Sequence, residues 1–288
     1  MKEQLMKNVQ ARISQYLHTP GDDRALKRKL DCYSKRKADI IKVEAKANVR
    51  NKYEEQACIC LDYDIHLRFL VRQYELMYVE EKIEHWKAAF LQGKLVADEE
   101  QRIDRSSILP DSHFENEPLE EEERQYYTYD RLKAVQYAER WWNDYNPAYK
   151  SFHVDCTNYI SQCLHAGGAP MRGYTNRSKG WWMQHNNWSY SWSVAHALRS
   201  YLASSKSGLR ADEVSSAKQL QLGDVICYDF EGDGRYDHNT IVTGKDADGQ
   251  PLVNAHTDNS RLRFWTYEDS AAYTDNIQYK FFTIKDDS

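Results

Sequence analysis

The sequence has no long apolar run. Nothing in its 288 residues approaches the roughly 20 needed to span a bilayer as a helix, and mean hydropathy is −0.84. No integral membrane segment is therefore expected. The first ten residues, Met1 to Gln10, lack the apolar core of a secretory signal. A cytoplasmic or spore-associated location follows as an expectation, unless a leader has been removed. Positive charge is not in excess either. The net charge of −5 argues against a dedicated nucleic-acid binder. The six cysteines (Cys32, Cys58, Cys60, Cys156, Cys163 and Cys227) include no CxxC pair. An even count in a chain this large does not imply disulfides, so they read as free thiols. No HxxxH or clustered Cys/His spacing is present, and the acidic loop from Asp229 to Asp237 departs from the calcium-loop order. Neither a metal nor a cofactor is expected.

What is present suffices for a folded protein. Hydrophobic residues make up 41% and charged residues 29%, and the length suggests two domains. In residues 1–97, Leu5, Val9, Ile13, Tyr16 and Leu17 share one helical face. A second helix is predicted over about Asp22 to Tyr33. From Ala38 the apolar period becomes two: Ile41 to Val49, then Cys58 to Phe69, then Tyr74 to Val79, with a further strand pair over Trp86 to Val96. Two helices on an antiparallel meander make a small α+β domain, a pattern that resembles nuclear-transport-factor-2-like domains. Residues 98–125 read as a linker, because Pro110 and Pro118 punctuate an acidic stretch.

Residues 126–288 read as a second α+β domain. Helices are expected over Tyr129 to Trp142, from Cys156 to the Gly167-Gly168 stop, and over Ser193 to Leu202. Strands follow over Asp224–Phe230, His238–Thr243, Pro251–Thr257, Arg261–Trp265 and Tyr279–Ile284. Cys156 stands at a helix start, where unpaired N–H groups and the dipole favour a thiolate. Asp155 is expected to cap that helix. His238 opens a strand. On the next strand Asn254 and His256 share a face, and either could fix an imidazole tautomer. A helix cysteine, a strand histidine and a neighbouring polar residue form a nucleophile, base and orienter. The chain also carries 21 Tyr and 8 Trp. The cluster Trp181, Trp182 and Trp188 is the candidate substrate-stacking surface, with some of its rings expected in the core.

The segments Asp155-Cys156-Thr157-Asn158-Tyr159-Ile160-Ser161-Gln162-Cys163-Leu164, Ala166-Gly167-Gly168, Leu222-Gly223-Asp224-Val225, Asp237-His238 and Ile241-Val242-Thr243-Gly244 together resemble the putative amidase domain of Gram-positive bacteria. That domain is similar to the NlpC-type and CHAP papain-like cysteine hydrolases. The resemblance implies a papain-like fold, Cys156 as nucleophile, His238 as base and Asn254 as orienting residue, with His256 the alternative. It implies hydrolysis of an amide bond in peptidoglycan or its peptides through a thioester, with an oxyanion held by the Cys156 backbone N–H. Acyl transfer by the same pair, or a non-catalytic wall-binding module, are the competing classes.

Overall fold

The structure, a computed structural model, describes residues 1–17, 23–101 and 126–287. It divides into two compact units. Unit 1 holds residues 1–104 with 258–262 and 266–271, and unit 2 holds the rest. Most of the expected linker lies outside the described residues. Its first residues, 98–100, are the end of a strand.

In unit 1, α1 (Lys2–Leu17) and α2 (Arg24–Lys35) precede β1 (Ala38–Glu55), β2 (Cys58–Gln73), β3 (Leu76–Leu91) and β4 (Lys94–Glu100). The strands pair as consecutive antiparallel neighbours. β2 shows why. Leu61, Tyr63, Ile65, Leu67, Phe69 and Val71 are all buried, while the residues between them are mostly charged. This period of two defines one inner face. Leu5 and Val9 of α1 and Tyr33 of α2 pack on it. Register shifts at Ile40/Lys42 and Val49/Asn51 interrupt the β1 ladder, and such bulges add twist and bend. α2 starts two residues later than expected because Asp23 is its cap, accepting from the N–H groups of Ala25 (2.8 Å) and Leu26 (3.1 Å). The expected break near residue 80 does not occur, and β3 is continuous. Its polar centre is neutralised by partners. Glu80 accepts from Lys29 and from the Tyr33 hydroxyl, and Glu81 from His66 and Arg261.

Unit 2 begins with α3 (Arg131–Trp141), capped by Asp130, and α4 (Cys156–Ala166). Ala134 and Ala138 of α3 share a core with Tyr159, Ile160, Cys163 and Leu164 of α4. Gly167 ends α4 where a Cβ would lie 2.4 Å from the Tyr129 ring. Gly168 follows at φ +100°, a conformation that suits glycine. A two-residue hairpin, β5 (Met183–Gln184) and β6 (Asn187–Trp188), leads into the short α5 (Tyr190–Ser193) and α6 (Ala195–Ser204). Then come β7 (Ala211–Val214), β8 (Val225–Asp229), β9 (His238–Lys245), β10 (Pro251–Ala255), β11 (Ser260–Phe264) and β12 (Gln278–Ile284). In unit 2 the strands lie in the order β10-β9-β8-β12-β7, all antiparallel. β7, α5 and the β5–β6 pair were not among the expected elements. Each is four residues or shorter, below the length at which a period can be read. The chain is thus an α+β protein built on antiparallel strands. Among the described residues, no helix is long and apolar enough to cross a membrane.

Candidate active site

Cys156 is the first residue of α4, and its side chain is buried. The helix is not capped as the sequence suggests. Asp155 makes no side-chain cap bond. The hydroxyl of Thr257, just beyond β10, accepts instead from the N–H groups of both Asp155 and Cys156, each at 3.1 Å. Thr257 sits at φ +80°, which is costly for a β-branched residue. In return the cap is supplied from about a hundred residues away. The Cys156 N–H is therefore engaged, which corrects its expected role as an oxyanion donor.

Asp155 is committed elsewhere. Its Oδ1 accepts from the Phe152 N–H and from Asn158 Nδ2, both at 2.9 Å. Its Oδ2 lies 2.8 Å from His256 Nδ1. The other ring nitrogen of His256 lies 2.6 Å from the Trp141 carbonyl oxygen. Each ring nitrogen of His256 thus faces a protein oxygen, one a carboxylate and one a carbonyl. Tyr159 stacks on the ring at 4.0 Å. Asn254 is wholly buried. It accepts from the Thr243 hydroxyl at 2.7 Å and donates to Glu139 at 2.8 Å.

His238 is wholly buried at the start of β9, opposite Tyr228 of β8. Its ring centroid lies 5.6 Å from that of Tyr228 and 6.2 Å from that of Phe230. The next residue, Asn239, donates from Nδ2 to Thr157 Oγ1 at 3.1 Å. Thr157 Oγ1 in turn lies 3.7 Å from Cys156 Sγ. The first turn of α4 thus docks against the beginning of the strand that His238 opens. Nearby thiols are unreactive by environment. Burial pushes the Cys163 and Cys227 thiols far up, which disfavours thiolates.

The tryptophan cluster is largely core. Trp181 and Trp182 are wholly buried, a correction to their expected stacking role. Their indole N–H groups are spent on protein acceptors, Ser161 for Trp181 and the Lys179 carbonyl for Trp182. Trp188 is half-buried, with Phe152 edge-on at 4.8 Å and the Arg177 guanidinium 5.0 Å from its ring. Of the three it alone is partly exposed.

The loop between β8 and β9 gathers carboxylate oxygens of Asp229, Glu231 and Asp237 within 4.8 Å of one another, which the linear spacing did not reveal. The environments of two of these groups differ. Asp229 accepts from the N–H groups of Gly232, Asp233 and Gly234. Burial and the neighbouring Glu231 push the Asp237 carboxyl up to about 7.

Thr157, Asn239 and Thr257 escaped the sequence reading as site-building residues, and Asp155 and His256 were named there without their mutual contact. Their roles depend on contacts between distant segments. The one local signal was the unbroken polar run flanking Cys156.

Residues 128–282 match the family model described as "Putative amidase domain". The match covers more than half of the chain, and the chain belongs to that family. Over 274 residues it is 50% identical to the Bacillus subtilis (strain 168) protein named "Uncharacterized protein YhbB", covering 93% of this chain and 88% of that one. It is 33% identical over 140 residues to "Uncharacterized protein YjcM" of the same organism, covering 46% of this chain and 31% of the relative. No solved structure matches the chain.

Proposed function

We propose that unit 2 is a papain-like cysteine hydrolase that cleaves an amide bond in peptidoglycan or in peptides derived from it. The observation that carries this reading is the buried Cys156 at the start of α4, docked through Thr157 and Asn239 on the strand that His238 opens, within a family match spanning residues 128–282. In this reading the Cys156 thiolate attacks the carbonyl carbon. His238 carries the proton and returns it to the departing amine, leaving a thioester that water hydrolyses with the same histidine as base. Asn254, opposite Ile241 in the β9–β10 register, keeps the orienting role. The oxyanion is met by donors other than the Cys156 N–H. For unit 1 we propose a nuclear-transport-factor-2-like architecture, supported by two helices packed on a bulged antiparallel meander.

The test is mass spectrometry of purified cell-wall fragments before and after incubation with the full chain, with Cys156→Ser as control. New fragments one water heavier in total, absent with the variant, are expected. Unchanged fragments with wild-type protein overturn the reading. Mass gain equal to an added amine would instead assign acyl transfer.

A further inference from the structure

We propose that Asn239 and Thr157 form a directed hydrogen-bond relay that holds the Cys156 sulfur as a thiolate. The proposal rests on the reading of Cys156 as the nucleophile and goes beyond it by naming two positioning residues.

A threonine hydroxyl has one hydrogen to give and two lone pairs. Asn239 Nδ2 donates into Thr157 Oγ1 at 3.1 Å. Because the amide donates, the single hydrogen of Thr157 is not spent on Asn239, and we assign it to Cys156 Sγ at 3.7 Å, a contact in which either atom can donate. With the hydroxyl donating, the charged sulfur is favoured over the thiol. The three residues are 0, 1 and 2% exposed, so water does not compete, and the bonds count for more than at the surface.

The direction of the relay is set by the amide. Were it turned over, its oxygen would take the Thr157 hydrogen and leave the sulfur facing a bare acceptor, which favours the thiol. That orientation would also bury both amide N–H hydrogens without acceptors. In the observed orientation one Nδ2 hydrogen is used on Thr157 and Asn239 Oδ1 lacks a partner among the described residues, and an unfilled carbonyl is better tolerated than two unfilled N–H groups. Among the described residues, the titratable groups next to the relay in the fold include His238, which precedes Asn239 on β9, and Cys227, opposite Asn239 on β8. Asp155 precedes the cysteine, and His256 holds that carboxylate. None of them is altered by replacing Thr157 or Asn239, so the relay can be isolated by difference.

The experiment is the pH dependence of iodoacetamide labelling at Cys156, read by peptide mapping on the full chain. Thr157→Val is expected to move the labelling midpoint up by about one pH unit or more, an about tenfold loss of thiolate near neutrality. Asn239→Ala should move it in the same direction by less, and Thr157→Ser should restore the wild-type profile. Superimposable profiles for Thr157→Val and Asn239→Ala, in proteins that melt like wild type, overturn the relay. If Thr157→Val does not fold, Asn239→Ala against Thr157→Ser decides in the same way. Shifted profiles with no wall turnover would keep the relay and discard the hydrolase reading. Cys156-dependent turnover with unshifted profiles would do the reverse.

Discussion

At the scale of single residues, His256 turns a cost into a constraint. A buried polar group is expensive unless it is hydrogen-bonded. Here one ring nitrogen of His256 lies against the Asp155 carboxyl and the other against the Trp141 carbonyl. The pair fixes the residue before Cys156, and Thr257, the residue after His256, fixes the backbone of Cys156 itself. Removing one member leaves buried polar atoms of the other without this partner, so Asp155→Ala and His256→Ala should each cost about 1–3 kcal/mol. Removing both leaves fewer unpaired buried groups. The double variant should therefore be less destabilised than the sum of the singles, by about 1 kcal/mol or more. Urea denaturation of the four proteins measures this directly. Simple additivity would mean that the two side chains act independently.

At the scale of elements, the loop joining β8 to β9 makes the start of β9 pH-sensitive. Burial and Glu231 raise the Asp237 carboxyl to about 7 in the folded chain, against about 3.9 unfolded. Between these values the folded state binds the extra proton, so stability falls as pH rises from about 4 to about 7 and then levels off. The group is partly exposed, and solvent screening reduces the effect to about 1–2 kcal/mol. Asp237→Asn should therefore match wild type near pH 4 and be the more stable protein by pH 8. Melting temperatures across that range give the answer, and a constant offset would contradict it. The same two strands show what a sequence discloses. α4 and β9 are legible because Ile160, Cys163 and Leu164 keep a helical spacing up to two glycines, and because β-branched residues run without a break from Thr240 to Thr243. β3 is not legible as one strand, since Glu80, Glu81 and Glu84 interrupt its pattern and the partners of Glu80 and Glu81 come from elsewhere in the chain. Cys156 and His238 are readable for the same reason as α4 and β9, because each residue marks the start of a regular element. The Thr257 cap and the inward turn of Trp181 and Trp182 depend on tertiary contacts that no local period encodes.

At the scale of the whole molecule, the chain leaves unit 1 and returns to it. Residues 258–262 and 266–271 belong with that unit although the segments before and after them belong to unit 2. Their bonds are specific. The Asn259 carbonyl accepts from the Ile83 N–H at 2.9 Å, and Ser260 and Arg261 of β11 pair with Lys82 and Glu81 of β3. The Arg28 guanidinium donates to the carbonyls of Glu268 and Ser270, and Lys29 donates to Asp269 at 3.0 Å as well as to Glu80. Unit 1 is thus completed by residues that follow most of unit 2 in the sequence, and a fragment ending at residue 101 lacks them all. With the Lys29 side chain only 5% exposed, loss of one of its two carboxylates leaves part of a buried charge uncompensated. Because Glu80 remains, Asp269→Ala in the full chain should cost about 1–3 kcal/mol, less than a fully broken buried pair. The fragment 1–101 loses the strand pairing and the Arg28 bonds as well, so it should be weaker than that variant. Trp86 is its lone tryptophan and reports its unfolding without interference. Urea titration of the fragment by tryptophan fluorescence, beside the full chain and its Asp269→Ala form, should give the order full chain, point variant, fragment. A fragment as stable as the full chain would show that the returning segment only rests on unit 1, and that residues 1–101 close their core without it.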